Sequence, residues 1–141
     1  MKGYPQWFPT VLLGCIAVVT ISGYALVPHS LFLNFDFDVT DPFSSATIQT
    51  ITVTHGVSAY FVAILFGSVW TIHIHHGWNR KRHRVSGLSL ALALVALIAS
   101  GLGLYYFAEQ EQRNMAILVH LVIGLLLPLF YLIHWARRRR S

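Results

Sequence analysis

Eight histidines are the groups in this chain best equipped for chemistry: His29, His55, His73, His75, His76, His83, His120 and His134. Seven of them stand in long stretches without a charged side chain. An ionisable group inside an apolar run is costly to bury and by default marks a functional site. His55 and His73 are 18 residues apart. On a helix that is five turns, which puts both on one face, about 27 Å apart along the axis. His120 and His134 are 14 residues apart, which on a helix leaves them within about 40° of each other and about 21 Å apart. Two helices that each offer two histidines at matching depths suit haem iron with two axial imidazoles, twice over. Zinc suits them less well, because structural zinc wants four ligands and catalytic zinc often a carboxylate.

The elements that must carry these residues follow from composition. Of 141 residues, 55% are hydrophobic and 11% charged, with a mean hydropathy of +0.60. That excludes an ordinary soluble domain, where about a quarter of residues are charged, and it excludes disorder. The single Cys15 excludes an internal disulfide framework and a cysteine-built metal cluster. The charges fall in five clusters separated by the stretches 3–35, 42–79, 85–108 and 114–136. Each stretch holds the roughly 20 apolar residues that cross a bilayer, and backbone in lipid must satisfy its own hydrogen bonds, so each reads as a helix. We expect an all-α, integral membrane four-helix up-and-down bundle, a single domain over 1–141, with helices at about 7–27, 48–76, 85–107 and 114–136. Pro28 is expected to end the first helix and open a turn-rich outer loop. The first apolar run is longer than the core of a signal peptide and reads as a retained helix.

Charge also sets the expected orientation. Lys2, the 80–84 segment and the 137–140 tail carry nine basic residues, while the other two connections carry five acids and Arg113. Basic loops stay in the cytoplasm. Both termini are therefore expected there, in the inner membrane of a bacterium, with lipid around a multi-pass protein. On this topology His55 and His120 lie toward the outside, and His73 and His134 toward the cytoplasm. His76 is turned about 60° from the His73 face and is the alternative cytoplasmic ligand on helix 2. His75 points nearly opposite, His29 sits in the outer loop, and His83 lies among basic residues. Gly124, one turn from His120, suits either a flat macrocycle against the helix or close helix packing. Gly87, Gly101 and Gly103 read as small residues that permit helix contact. Arg80, Arg84 and Arg137 stand where haem propionates would emerge on the cytoplasmic side, although topology alone explains them.

The segment from His120 through Gly124 and Pro128 to His134-Trp135 resembles the paired-histidine helix of membrane di-haem b-type cytochromes. It is similar to the cytochrome b subunits of bacterial formate dehydrogenases and hydrogenases, and to small flavinylation-associated cytochromes. The likeness covers helices 2 to 4. Helix 2 departs from it, with 18 residues rather than about 14 between its histidines, and the expected helix 1 holds no histidine. The resemblance implies an electron-transfer subunit with two bis-His b haems, His55, His73 (or His76), His120 and His134 serving as iron ligands. Without a nucleotide-binding loop or a soluble domain, such a chain needs the quinone pool and a redox partner protein, and no nucleic acid. No residue is assigned a catalytic role. Two readings stay open beside it: a His-based proton or metal translocating protein, and a self-contained haem oxidoreductase acting on a small molecule at the outer face. A non-redox anchor with packing histidines is a third.

Overall fold

The computed structural model describes residues 4–35, 43–70 and 84–139. Among them every long element is an α-helix: α1 Phe8–Phe35, α2 Ser45–Val69, α3 Arg84–Tyr106 and α4 Gln110–Arg139. All four contain a stretch long and apolar enough to cross a membrane, of 24, 25, 22 and 25 residues in chain order. Large apolar side chains lie exposed along each: Ile21 is 70% exposed, Val53 59%, Leu92 59% and Leu132 55%. In water such surfaces would drive aggregation, whereas in a bilayer they contact lipid tails at no hydrophobic cost.

Each helix solves the problem of polar groups in apolar surroundings locally. Ser44 caps α2: its Oγ accepts the Thr47 backbone N–H at 3.3 Å. Thr50, Thr52 and Thr54 donate their hydroxyls back to the carbonyls four residues earlier, at 2.8–3.0 Å, so no hydroxyl of the three faces lipid unpaired. Pro9 falls in the first turn of α1, where its missing N–H costs nothing. Pro28 does not end α1, contrary to the sequence reading: the helix runs through it to Phe35. One proline removes one backbone bond, and a membrane helix tolerates that where neighbouring groups re-satisfy the carbonyl. His29 therefore belongs to α1 and not to an outer loop.

The chain divides into two compact units, Met1–Ser68 and Val69–Ser141. In the first, Ser22 of α1 meets His55 of α2, and Tyr4 before α1 donates to the Ser68 carbonyl at 2.9 Å. Advancing along one helix retreats along the other, so α1 and α2 are antiparallel. Tyr4 also stacks on Phe8, ring centroids 4.3 Å apart. In the second unit, Ser86 meets His134 and Ser100 meets His120, so α3 and α4 are antiparallel as well. The turn between them is tight. A methyl group on Gly103 would stand 2.7 Å from the Phe107 ring and 3.2 Å from Ala116 Cβ, so only glycine admits this packing. Phe107 N–H closes the end of α3 on the Gly103 carbonyl at 3.0 Å.

Candidate functional site: three serine–glycine histidine cradles

The chain contains three Ser-Gly dipeptides: Ser22-Gly23, Ser86-Gly87 and Ser100-Gly101. Each receives a histidine from the neighbouring helix. His55 Nδ1 lies 3.2 Å from Ser22 Oγ, His134 Nδ1 lies 3.2 Å from Ser86 Oγ, and His120 Nδ1 lies 3.0 Å from Ser100 Oγ. The glycine beside each serine lets the ring approach. A methyl group at Gly23 would stand 3.0 Å from His55 Cε1, one at Gly101 3.4 Å from His120 Cε1, and one at Gly87 3.7 Å from His134 Cε1. The histidines are half-buried and the serines fully buried.

Hydrogen-bond direction fixes the chemistry of one ring. His55 Nδ1 is also 3.0 Å from the Val19 carbonyl oxygen. A carbonyl only accepts, so Nδ1 must carry the proton. The Ser22 hydroxyl spends its own proton on the Val18 carbonyl at 2.7 Å, which leaves its lone pairs to accept from the imidazole. Ser100 Oγ likewise donates to the Ala96 carbonyl at 2.7 Å and stands 3.0 Å from His120 Nδ1. In a neutral imidazole with its proton on Nδ1, Nε2 is the Lewis-basic atom. That is how a protein prepares histidine as a metal ligand: a partner on one nitrogen fixes the tautomer and ring plane, and the other nitrogen binds.

Among the described residues the buried polar side chains are Ser22, Ser58, Ser86 and Ser100. Three hold a histidine ring, and Ser58 donates to the His55 carbonyl at 3.0 Å and to the Thr54 carbonyl at 2.7 Å. The buried polarity of this membrane protein is thus spent on its histidines. Among the same residues, no three His, Cys, Asp or Glu side chains gather into a metal-ion site. The donor set suits a group that asks for one or two protein nitrogens at each end and brings its remaining ligands with it, as a porphyrin does. It does not suit a zinc ion held by protein alone.

The residues singled out from sequence fall as follows. His55 belongs to the first unit, and His120 and His134 to the second, each in its own cradle. His73, His75, His76 and His83 lie outside the described residues, as does Arg80. Gly124 faces α3, where a methyl group would meet Leu97 Cδ2 at 3.8 Å, an ordinary contact. The serines escaped the sequence reading. The signal that would have found them is the spacing: Ser86 and Ser100 are 14 residues apart, the same interval as His120 and His134. Comparison with known protein families, with curated proteins and with solved structures finds no match.

Proposed function

We propose that this chain is a membrane b-type cytochrome with two bis-His haems, passing electrons across the membrane between the quinone pool and a redox partner protein. The observation that supports the reading is the Val19 carbonyl on His55 Nδ1, which fixes the proton there and makes Nε2 the Lewis-basic atom of that ring, with His120 and His134 each set against a serine at the same nitrogen. His55, His73 (or His76), His120 and His134 would hold the iron of the two haems. A haem held there by histidine nitrogens would supply electron-transfer chemistry. The chain's own part is to orient the imidazoles, exclude water and surround the macrocycle with apolar side chains.

In this reading the four helices form an up-and-down bundle in a bacterial inner membrane. The nine basic residues near the termini and in the 80–84 segment support cytoplasmic placement of both ends.

The test is a reduced-minus-oxidised visible spectrum of the detergent-purified protein, with pyridine haemochrome quantitation per chain. A sharp low-spin α-band and two haems per chain is the expected result. One haem would remove either the His55–His120 pair or the His134 pair from the assignment. A colourless protein, expressed with ample haem, would overturn the reading and bring a His-based proton relay forward.

A further inference from the structure

Of the four buried serines, Ser58 alone holds no histidine ring. It lines a groove of about 560 Å³ between α1 and α2 in the first unit, walled by Gly14, Cys15 and Val18 on one side and by Thr54, Ser58 and Phe61 on the other. Pockets that hold small organic ligands have volumes of about 300–1,000 Å³. The groove opens sideways: Val53, Val57 and Phe61 along its α2 wall are each more than half exposed. Its floor is roomy at Gly14, where a methyl group would meet nothing within 4 Å.

Two hydroxyls interrupt the apolar lining, and both have spent their protons. Thr54 donates to the Thr50 carbonyl at 2.8 Å, and Ser58 to the Thr54 carbonyl at 2.7 Å. A hydroxyl has one proton and two lone pairs, so each oxygen keeps only the capacity to accept. Among the described residues no donor reaches either of them. The Cys15 thiol adds only a weak donor. A quinone, whose carbonyls accept, is therefore poorly matched to this groove, whereas a quinol brings two O–H donors to two acceptors. Depth narrows the ligand further. Thr54 and Ser58 flank Val57, the midpoint of the span Ser45–Val69. Phospholipid headgroups stay about 15 Å from the centre of the hydrocarbon, and their acyl chains carry no hydroxyl. A quinol of the membrane pool carries its hydroxyls into the hydrocarbon.

We propose that the α1–α2 groove is a quinol-binding site, with Thr54 and Ser58 accepting the ring hydroxyls and the apolar walls holding the ring and the start of the tail. The proposal rests on the quinone-pool part of the reading above and adds a place and a preference for the reduced form. The site adjoins the His55 cradle on both helices. Val18, on the α1 wall, accepts the Ser22 proton through its carbonyl at 2.7 Å, and Ser58 bonds the His55 carbonyl at 3.0 Å.

The experiment uses the full-length protein in phosphatidylcholine nanodiscs, with dithionite present to keep the quinol reduced and empty discs as the blank. The probes are decylubiquinol and its dimethyl ether, which keeps the ring and tail but has no O–H to donate. Wild type should bind one quinol per chain, roughly tenfold more tightly than the ether, as two ordinary hydrogen bonds would give. Thr54→Val and Ser58→Ala should each weaken quinol binding about threefold and leave the ether unchanged. Gly14→Leu, which fills the groove where there is room for a side chain, should abolish binding of both probes without lowering Tm. Equal affinity of wild type for quinol and ether would overturn the proposal and make the groove a seat for an acyl tail. Undiminished quinol binding in Gly14→Leu would overturn it by placing the ligand elsewhere. A wild-type dimer that Gly14→Leu separates would overturn it by giving the groove to a second copy of the chain. Haem content of the same samples keeps the two readings apart: two haems per chain with no quinol bound would remove this site and leave the haem assignment, whereas quinol bound to a colourless protein would do the reverse.

Discussion

Placing alanine at the three cradle glycines separates them by distance alone. At Gly23 the new methyl would stand 3.0 Å from His55 Cε1, whereas carbon atoms rest at about 3.5–4.0 Å. The ring would have to retreat about half an ångström from α1. It is tied to α1 at 3.2 Å through Ser22 and at 3.0 Å through Val19, so the retreat stretches both bonds of the same N–H to the edge of hydrogen-bond range. A buried N–H that loses its partner costs about 1–3 kcal/mol. Alanine recovers about 1 kcal/mol over glycine in a helix interior. Gly23→Ala is therefore expected to destabilise the protein by up to about 2 kcal/mol. At Gly101 the distance is 3.4 Å, a small adjustment suffices, and the two effects nearly cancel. At Gly87 it is 3.7 Å, an ordinary contact, so the helix term dominates and stability rises by up to about 1 kcal/mol. Thermal unfolding in one detergent, followed by tryptophan fluorescence, reads the order directly, since 1 kcal/mol moves Tm by about 2–4 °C at this size. If Gly23→Ala proved as stabilising as Gly87→Ala, the imidazole would not lie where this argument puts it.

Ser100→Ala removes the hydrogen-bond partner of His120 Nδ1 and frees the tautomer, and loss of such an outer partner typically costs 10–100-fold in metal-group affinity. Haem titration should show that loss, and Ser100→Thr should restore much of it. His120→Ala and His134→Ala should each lower haem content by one per chain; pyridine haemochrome showing full haem in His134→Ala would remove α4 from the cytoplasmic site. In a Cys15→Ser background, Glu111→Cys in spheroplasts should react with a membrane-impermeant maleimide, and Ser141→Cys should react only after lysis. The reverse pattern would invert the proposed topology.

The four helices were legible because lipid leaves a backbone no alternative to internal hydrogen bonding, so charge-free length translates into helix. Their ends were less legible. Charges mark where a helix leaves hydrocarbon, not where its hydrogen bonds stop: α4 begins at Gln110 and runs to Arg139, taking Glu111, Arg113 and Arg137 into the helix. Pro28 misled in the same way, since a turn signal in water is only a missing bond in a membrane helix. The histidines were legible by type and spacing. The serines were not, because a membrane serine usually spends its hydroxyl on its own helix. Ser22 and Ser100 do that and meet an imidazole nitrogen besides, which becomes visible only once the facing helix is in register. Gly87 and Gly101 read from sequence as helix-packing residues, and what packs on them is an imidazole ring.

The equal spacing of the two cradles in the second hairpin makes it a ruler with two marks. Fourteen residues forward along α3 and fourteen back along α4 lead from one serine–histidine pair to the other. A slip of one turn, about 5.4 Å, would part both pairs at once, and no small slip could save either. One inserted residue between His120 and His134 would swing the latter by about 100° away from Ser86 while leaving the former untouched. The length of the stretch between the marks is thus under tighter constraint than its composition. Its leucines can be exchanged for one another, but none can be added or removed.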